Sequence, residues 1–126
     1  MENCGSYVLV LRLIRQKYRW LALEIISEKN IGKESFISAL KHKIYELFGS
    51  FGDVSFRVEE YDSQRGFCII RCLREDLRRL RVALVLLRDI QGTPVVMNDL
   101  YCSGTLKKLR EELKKRRLFI SLLENT

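Results

Sequence analysis

The chain has 126 residues, of which 47% are hydrophobic, with one proline and a formal net charge of +7. This length supports one hydrophobic core, and the apolar content excludes a largely disordered chain. The basic excess favours a polyanionic partner, such as nucleic acid, over an acidic one, although charge alone selects neither a fold nor a function.

The four cysteines predict neither disulfides nor a metal site. No secretory signal accompanies them, and no run approaches the ~18 apolar residues of a membrane helix, so reduced thiols in an intracellular protein are expected. Cys68 and Cys72 are four residues apart in a strand pattern, which separates them by roughly 13 Å. His42 is the only histidine. We therefore predict small buried thiols and no metal ligands.

The first half of the chain predicts a tail, a strand and a helix. Residues 1–10 show no pattern and are predicted to be an N-terminal tail. Residues 11–19 carry four basic side chains and no acid. Over residues 18–27, Leu21, Leu23 and Ile25 alternate on one face with Trp20, Ala22 and Glu24 on the other, as expected for a strand. Residues 33–48 show an apolar stripe at helical spacing, ended by Gly49.

The second half predicts a hairpin, a helix, a strand and a basic helix. Strands at residues 53–61 and 67–73 flank a turn that contains Gly66. Residues 74–88 have a leucine stripe with arginines at the other positions. A connection at 89–93 precedes a strand at 94–102, and a helix begins near Leu106.

The resulting order, β-α-β-β-α-β-α, predicts an α+β fold. Its first six elements match a ferredoxin-like split βαβ sandwich, with a four-stranded antiparallel sheet and two helices on one face. The basic C-terminal helix is an addition. We interpret residues 11–126 as a single RNA-binding domain whose second sheet face is covered by that helix, by a partner or by RNA.

The hairpin strand partly matches an RNA-recognition motif. Arg65, Gly66 and Phe67 fit that signature, but Ile69 stands where it needs a second aromatic for base stacking. Phe67, Ile69 and Arg71 share one strand face. Packing is the more common role for such a phenylalanine, and stacking stays a minor alternative.

The terminal helix gives the stronger signal for a polyanion. Residues 104–117 hold seven Lys or Arg against two Glu. Leucines at helical spacing would hold this helix to the core while its cations reach phosphates, which gives salt-sensitive affinity. The turn before it could present backbone N–H groups to an anion, or Ser103 or Thr105 could simply cap the helix. A solvated charged face is the plain alternative. The helix cations predicted to bind RNA are Lys107, Lys108, Arg110, Lys114 and Lys115.

No catalytic residues are predicted. A single histidine without a partner motif argues against Ser/His or Cys/His chemistry. Glu59, Glu60 and Asp62 cluster near the hairpin, but clusters of exposed acids are common. If the protein serves an enzyme, the catalyst is expected elsewhere.

Five stretches together resemble the ribonuclease P protein component 2 family. They are residues 17–26 (KYRWLALEII), 46–52 (ELFGSFG), 66–72 (GFCIIRC), 80–87 (LRVALVLL) and 103–108 (SGTLKK), in the expected order. Trp20 is bulkier than this pattern leads us to expect, and residues 1–10 match nothing in it. Each stretch is weakly specific alone, whereas the ordered set is fairly specific.

The resemblance implies a non-catalytic protein subunit of an RNA-based endonuclease that removes 5′ leaders from precursor tRNA. It implies catalysis by the RNA with a divalent metal, expected as magnesium, and no cofactor on the protein. Implied partners are the ribonuclease P RNA, precursor tRNA through the holoenzyme, and a barrel-fold ribonuclease P protein, as a 2:2 heterotetramer, with no membrane. Arg12 and Arg15 are predicted from charge alone. The resemblance assigns RNA contact to Lys17, Arg19, Arg71, Gly104, Thr105, Lys107 and Lys108.

The compact length without a long acidic tail favours an archaeal-type cytoplasmic protein, whereas a eukaryotic member is expected in the nucleus or nucleolus. The ferredoxin-like fold serves many functions, so a module that binds a small anionic ligand, or a protein adaptor with incidental charge, is the alternative function.

Overall fold

The computed structural model describes residues 17–49 and 54–124, with side chains up to Arg116. The predicted tail at residues 1–10 lies outside the described residues, as do Arg12 and Arg15. Within the described ranges, no helix is long and apolar enough to cross a membrane.

Nine elements follow one another along the chain. They are β1 Tyr18–Ser27, α1 Lys33–Phe48, β2 Phe56–Asp62, β3 Phe67–Leu73, a 3₁₀ turn Arg74–Asp76, α2 Leu77–Leu86, β4 Asp89–Ile90, β5 Thr93–Ser103 and α3 Leu106–Glu124. The strands form one sheet in the order β2-β3-β1-β5-β4, and every neighbouring pair is antiparallel. The four long strands have the order of a ferredoxin-like sandwich, which confirms the predicted fold.

The sequence missed β4, a two-residue strand in the predicted connection at 89–93. Asp89 pairs with Pro94 across a tight turn in which Gln91 and Gly92 both have positive φ angles, 51° and 81°. The Asp89 carboxylate accepts a hydrogen bond from the Gly92 N–H (3.1 Å), which stabilises this turn. A strand of two residues is too short to show an alternating pattern.

The helix predicted at residues 74–88 begins as a 3₁₀ turn and ends at Leu86. Asp76, buried at the start of α2, accepts a hydrogen bond from the Ser55 N–H (3.3 Å) and pairs with Arg79 (3.2 Å). These contacts fix the first turn against the loop before β2. At the other end, Leu87 is extended and buried, because the chain turns there into β4.

The main core lies between one sheet face and helices α1 and α2. Leu21, Leu23 and Ile25 of β1 point into it, as the alternation predicted. Phe36 and Leu40 of α1 are fully buried against them.

Helix α3 covers the opposite sheet face. Leu109 and Leu113 pack on Ala22 and Ile69, and Phe67 lies partly buried at the margin of this second cluster. Because Ile69 is only 1% exposed beneath the helix, bases cannot stack at that position. Packing, rather than stacking, is therefore the role of Ile69.

Gly66 ties the β2–β3 hairpin to β1. Its φ angle is 65°, and its carbonyl accepts a hydrogen bond from the Ile25 N–H (2.5 Å). A Cβ at this position would lie 2.3 Å from the Ile25 carbonyl oxygen. Only glycine fits so close an approach between two backbones.

Candidate nucleic-acid interface

Six of the ten predicted contact residues that the structure describes lie at one end of the sheet. The strand register places Tyr18 opposite Leu73 and Trp20 opposite Ser103, so β1 begins where β3 and β5 end. Helix α3 starts directly after β5, at the same end. We call this region the cationic end and define it by Lys17, Arg19, Gly104, Thr105, Lys107 and Lys108.

Arg19 packs against the turn between β5 and α3. Its Nη1 donates a hydrogen bond to the Tyr18 carbonyl (3.1 Å), and a Cβ added to Gly104 would lie 3.2 Å from the same nitrogen. The guanidinium therefore rests against backbone that has no side chain at residue 104. This contact gives Gly104 a role in positioning Arg19.

The turn before α3 is built by two hydroxyl groups. The Thr105 hydroxyl accepts a hydrogen bond from the Lys108 N–H (3.3 Å), and the Thr105 carbonyl accepts one from the Leu109 N–H (3.2 Å). The buried Ser103 hydroxyl accepts a hydrogen bond from the Thr105 N–H (3.3 Å). Thr105 is thus the N-cap of α3, which confirms the capping interpretation for this residue.

The lysines of α3 point to solvent. Leu109 and Leu113 are buried on the opposite side of the helix, as the leucine spacing predicted. In the part of the chain whose side chains are described, none of the four lysine ammonium groups has an ion pair or a hydrogen bond. These exposed, uncompensated cations are Lys107, Lys108, Lys114 and Lys115.

Arg71 and Arg110, by contrast, are paired with acids of β2. Arg110 Nη2 lies 2.6 Å from Glu60 Oε1, and Arg71 Nε lies 3.6 Å from Glu59 Oε1. The register between β2 and β3 shifts after Val58, so that β2 contains a bulge. A bulge sets two successive residues opposite one, which puts Glu59 and Glu60 on the same sheet face as α3.

Arg71 also contacts two aromatic rings at the start of β1. Its guanidinium carbon lies 4.8 Å from the ring centre of Tyr18 and 5.6 Å from that of Trp20. These distances allow cation–π attraction. Arg71 is consequently held in place at the margin of the cationic end, and Trp20 helps to hold it there.

The three cysteines in the described part of the chain, Cys68, Cys72 and Cys102, are buried or half-buried in the main core or against it. Burial raises the pKa of Cys68 to about 12 and that of Cys72 to about 11. Both groups are neutral thiols at physiological pH, and their burial confirms the predicted packing role. In the described residues, no group of three His, Cys, Asp or Glu side chains is placed to hold a metal ion.

Sequence reasoning missed the acids that compensate the predicted arginines. Glu59 and Glu60 were visible as a cluster, but nothing in the sequence linked them to Arg71 and Arg110. The only available signal was that two adjacent residues of a predicted strand are both glutamate. In a regular strand one of the two would point into the core, so the pair indicates a break in the alternation of sides.

The chain is similar to known proteins over most of its length. The model of the Rpp14/Pop5 family matches residues 19–114. Ribonuclease P protein component 2 of Archaeoglobus fulgidus is 38% identical over 100 residues, which cover 79% of this chain and 90% of the relative. The Pyrococcus abyssi protein of the same name is 32% identical over 101 residues, with 79% and 86% covered.

A solved structure shares the fold. A chain of yeast ribonuclease MRP, determined by cryo-electron microscopy, superimposes with a TM-score of 0.63 at 18% identity. The match covers 80% of this chain and 94% of the yeast chain.

Proposed function

The chain belongs to the Rpp14/Pop5 family, and from this membership we propose that it is a non-catalytic subunit of ribonuclease P. In this role it binds the catalytic RNA and supports the removal of 5′ leaders from precursor tRNA. The RNA carries the catalysis and holds the divalent metal, expected as magnesium. The site of action is the cytoplasm for an archaeal-type particle, or the nucleus and nucleolus for a eukaryotic one.

The uncompensated lysines of α3 are the observation that carries the RNA contact. Lys107 and Lys108 stand at the cationic end beside Lys17 and Arg19, while Lys114 and Lys115 extend the charge along the helix. Exposed cations without acidic partners gain most from phosphates, because no ion pair has to be broken first. Arg12 and Arg15 precede Lys17 in the chain and are proposed, from their charge alone, to bind the same RNA.

Arg71 and Arg110 are proposed to bind RNA while they keep their glutamates. A guanidinium has five N–H donors, and one carboxylate uses at most two of them. Both arginines are partly exposed, so the remaining donors can reach a phosphate. Their contribution is expected to be smaller than that of the free lysines, since Glu59 and Glu60 offset part of the charge.

The outer face of α2 is proposed to bind the barrel-fold protein subunit, in a 2:2 heterotetramer. Val82, Val85 and Leu86 are exposed there, and their spacing puts them on one side of the helix. Exposed apolar groups in one patch are typical of a protein interface. A Val85→Glu variant is expected to lose co-purification of that subunit while RNA binding by the isolated chain persists.

The test of the RNA contact is the double variant Lys107→Gln/Lys108→Gln in a particle reconstituted with the RNA and the other protein subunits. We expect slower cleavage of precursor tRNA at limiting protein, with an unchanged melting temperature. The matched control is Lys29→Gln/Arg88→Gln, which removes the same charge from the opposite end of the sheet.

Cleavage equal to that of the control would contradict the assignment of these lysines. Salt gives an independent check, because a phosphate-dominated complex weakens steeply as salt concentration rises. A complex that survives both high salt and nuclease would point to a protein adaptor instead.

A further inference from the structure

We propose that the RNA-binding surface continues from the cationic end onto the start of α2, where Arg74 and Arg78 bind further phosphates of the same RNA. This inference rests on the proposed function. It adds a second contact region on a different structural element from α3.

The backbone fixes Arg74 next to the cationic end. The Arg74 N–H donates a hydrogen bond to the Lys17 carbonyl (2.9 Å), which joins the 3₁₀ turn to the residue just before β1. Arg78 follows one turn later at the start of α2. Both side chains are exposed, so they extend the charged surface of Lys17 outward along the helix.

The arginines near the start of α2 fall into two groups. Arg79 pairs with Asp76 (3.2 Å), and Arg81 Nε lies 3.0 Å from Asp99 Oδ2, although without hydrogen-bond geometry. Within the described residues, Arg74 and Arg78 have no ion pair, side-chain hydrogen bond or ring contact. The first group therefore serves the fold, whereas the second has no structural partner.

Their mutual placement also indicates an external anion. Arg74 belongs to the 3₁₀ turn and Arg78 to the first turn of α2, so two like charges lie close together in the chain at one end of the helix, where they repel each other. Glu75 is exposed beside Arg74 and yet forms an ion pair with neither arginine in the described part of the chain. A phosphate backbone would relieve the repulsion between Arg74 and Arg78.

The outer face of α2 separates two kinds of surface. Val82 follows Arg78 by four residues, and Val85 and Leu86 follow one turn later, so the exposed stripe changes from basic to apolar along the helix. The basic part adjoins the cationic end and fits RNA, while the apolar part fits the protein partner. An RNA bound to both α3 and α2 has to cross the end of the sheet between them.

The experiment compares three double variants of the full chain for binding to the ribonuclease P RNA of its source organism. They are Arg74→Gln/Arg78→Gln, Lys107→Gln/Lys108→Gln and Lys29→Gln/Arg88→Gln, and each removes two positive charges. The third is the control. Lys29 follows the far end of β1, and the Arg88 carbonyl accepts a hydrogen bond from the N–H of Val95, which pairs with Ser27.

We expect the arginine variant to bind about tenfold more weakly than the control, with an unchanged melting temperature. The slope of log affinity against log salt concentration should fall by roughly 1 to 2, as expected for two lost phosphate contacts.

The variants distinguish the extension of the RNA-binding surface onto α2 from the proposed RNA interface on α3. If only the lysine variant binds more weakly than the control, the extension onto α2 is wrong and the proposed function stands. If both variants behave like the control, the proposed RNA interface itself is wrong. Weaker binding by both, each with a reduced salt slope, supports a surface that spans α3 and α2.

Discussion

Removal of the Leu109 side chain should test whether α3 is a firm part of the fold. Leu109 is fully buried between α3 and the sheet, against Ala22 and Ile69. Leu109→Ala deletes three buried carbon groups, worth about 2.4 kcal/mol at ~0.8 kcal/mol each. The residual cavity adds to this loss, and we expect unfolding to become easier by about 3 kcal/mol. For a chain of this size, that corresponds to a melting temperature about 10 °C lower.

Urea unfolding followed by circular dichroism measures this loss through the transition midpoint. Val85→Ala is the matched control, because Val85 is 65% exposed and its truncation should change stability by less than ~0.5 kcal/mol. Leu109→Ala keeps every charge, so weaker RNA binding by the variant would arise from the undocking of α3. A loss of stability below about 1 kcal/mol would refute the packing of α3 on the sheet described above.

Three further predictions concern the turns and the thiols. Gly66→Ala should destabilise the protein by more than about 2 kcal/mol in chemical denaturation, because a Cβ meets backbone and φ is positive; a loss below 1 kcal/mol would contradict this geometry. Thr105→Ala should cost about 1 kcal/mol through the lost N-cap, whereas Thr105→Ser should be nearly neutral; equal stability of the two variants would argue against the cap. Burial raises the thiol pKa of Cys68 from 9.0 to about 12 and that of Cys72 to about 11, so the folded protein retains protons that the unfolded chain releases. The unfolding free energy should therefore be insensitive to these thiols below pH 9 and should fall between about pH 9 and pH 12, less steeply in Cys68→Ala; an equally steep fall in that variant would contradict the assignment to Cys68.

Periodicity predicted most of the fold because the long elements each bury one face. The observed bounds of β1, α1 and β3 equal the predicted ones. The alternation also predicted correctly that Leu21 and Ala22 lie on opposite faces of the sheet. The leucine spacing of α3 identified its buried side. It did not identify the surface that this side contacts, because an apolar stripe fits any apolar partner.

The features that sequence could not supply depend on contacts between distant residues. The partners of Arg110 and Arg71 lie on β2, and the bulge that aligns them changes no composition or periodicity outside one strand. The neighbourhood of Lys17 and Arg74 likewise arises from a backbone hydrogen bond between residues far apart in the chain. The charge pattern of the sequence therefore identified the basic residues, but only the fold shows which of them have an acidic partner and which do not.

Because of its bulge, β2 has one residue more than a regular strand, and this residue affects how many nearby arginines have an acidic partner. Val58 and Tyr61 both face the main core, and Glu59 and Glu60 lie between them on the other face. Deletion of Glu59 would restore the regular alternation of β2 between its core-facing and α3-facing sides. Tyr61 would still face the main core, and Glu60 would still lie beside Arg110. Arg71 and Arg57, which both lie 3.6 Å from Glu59 Oε1, would lose this carboxylate. A one-residue change in chain length would thus free two arginines on this surface without repacking the core.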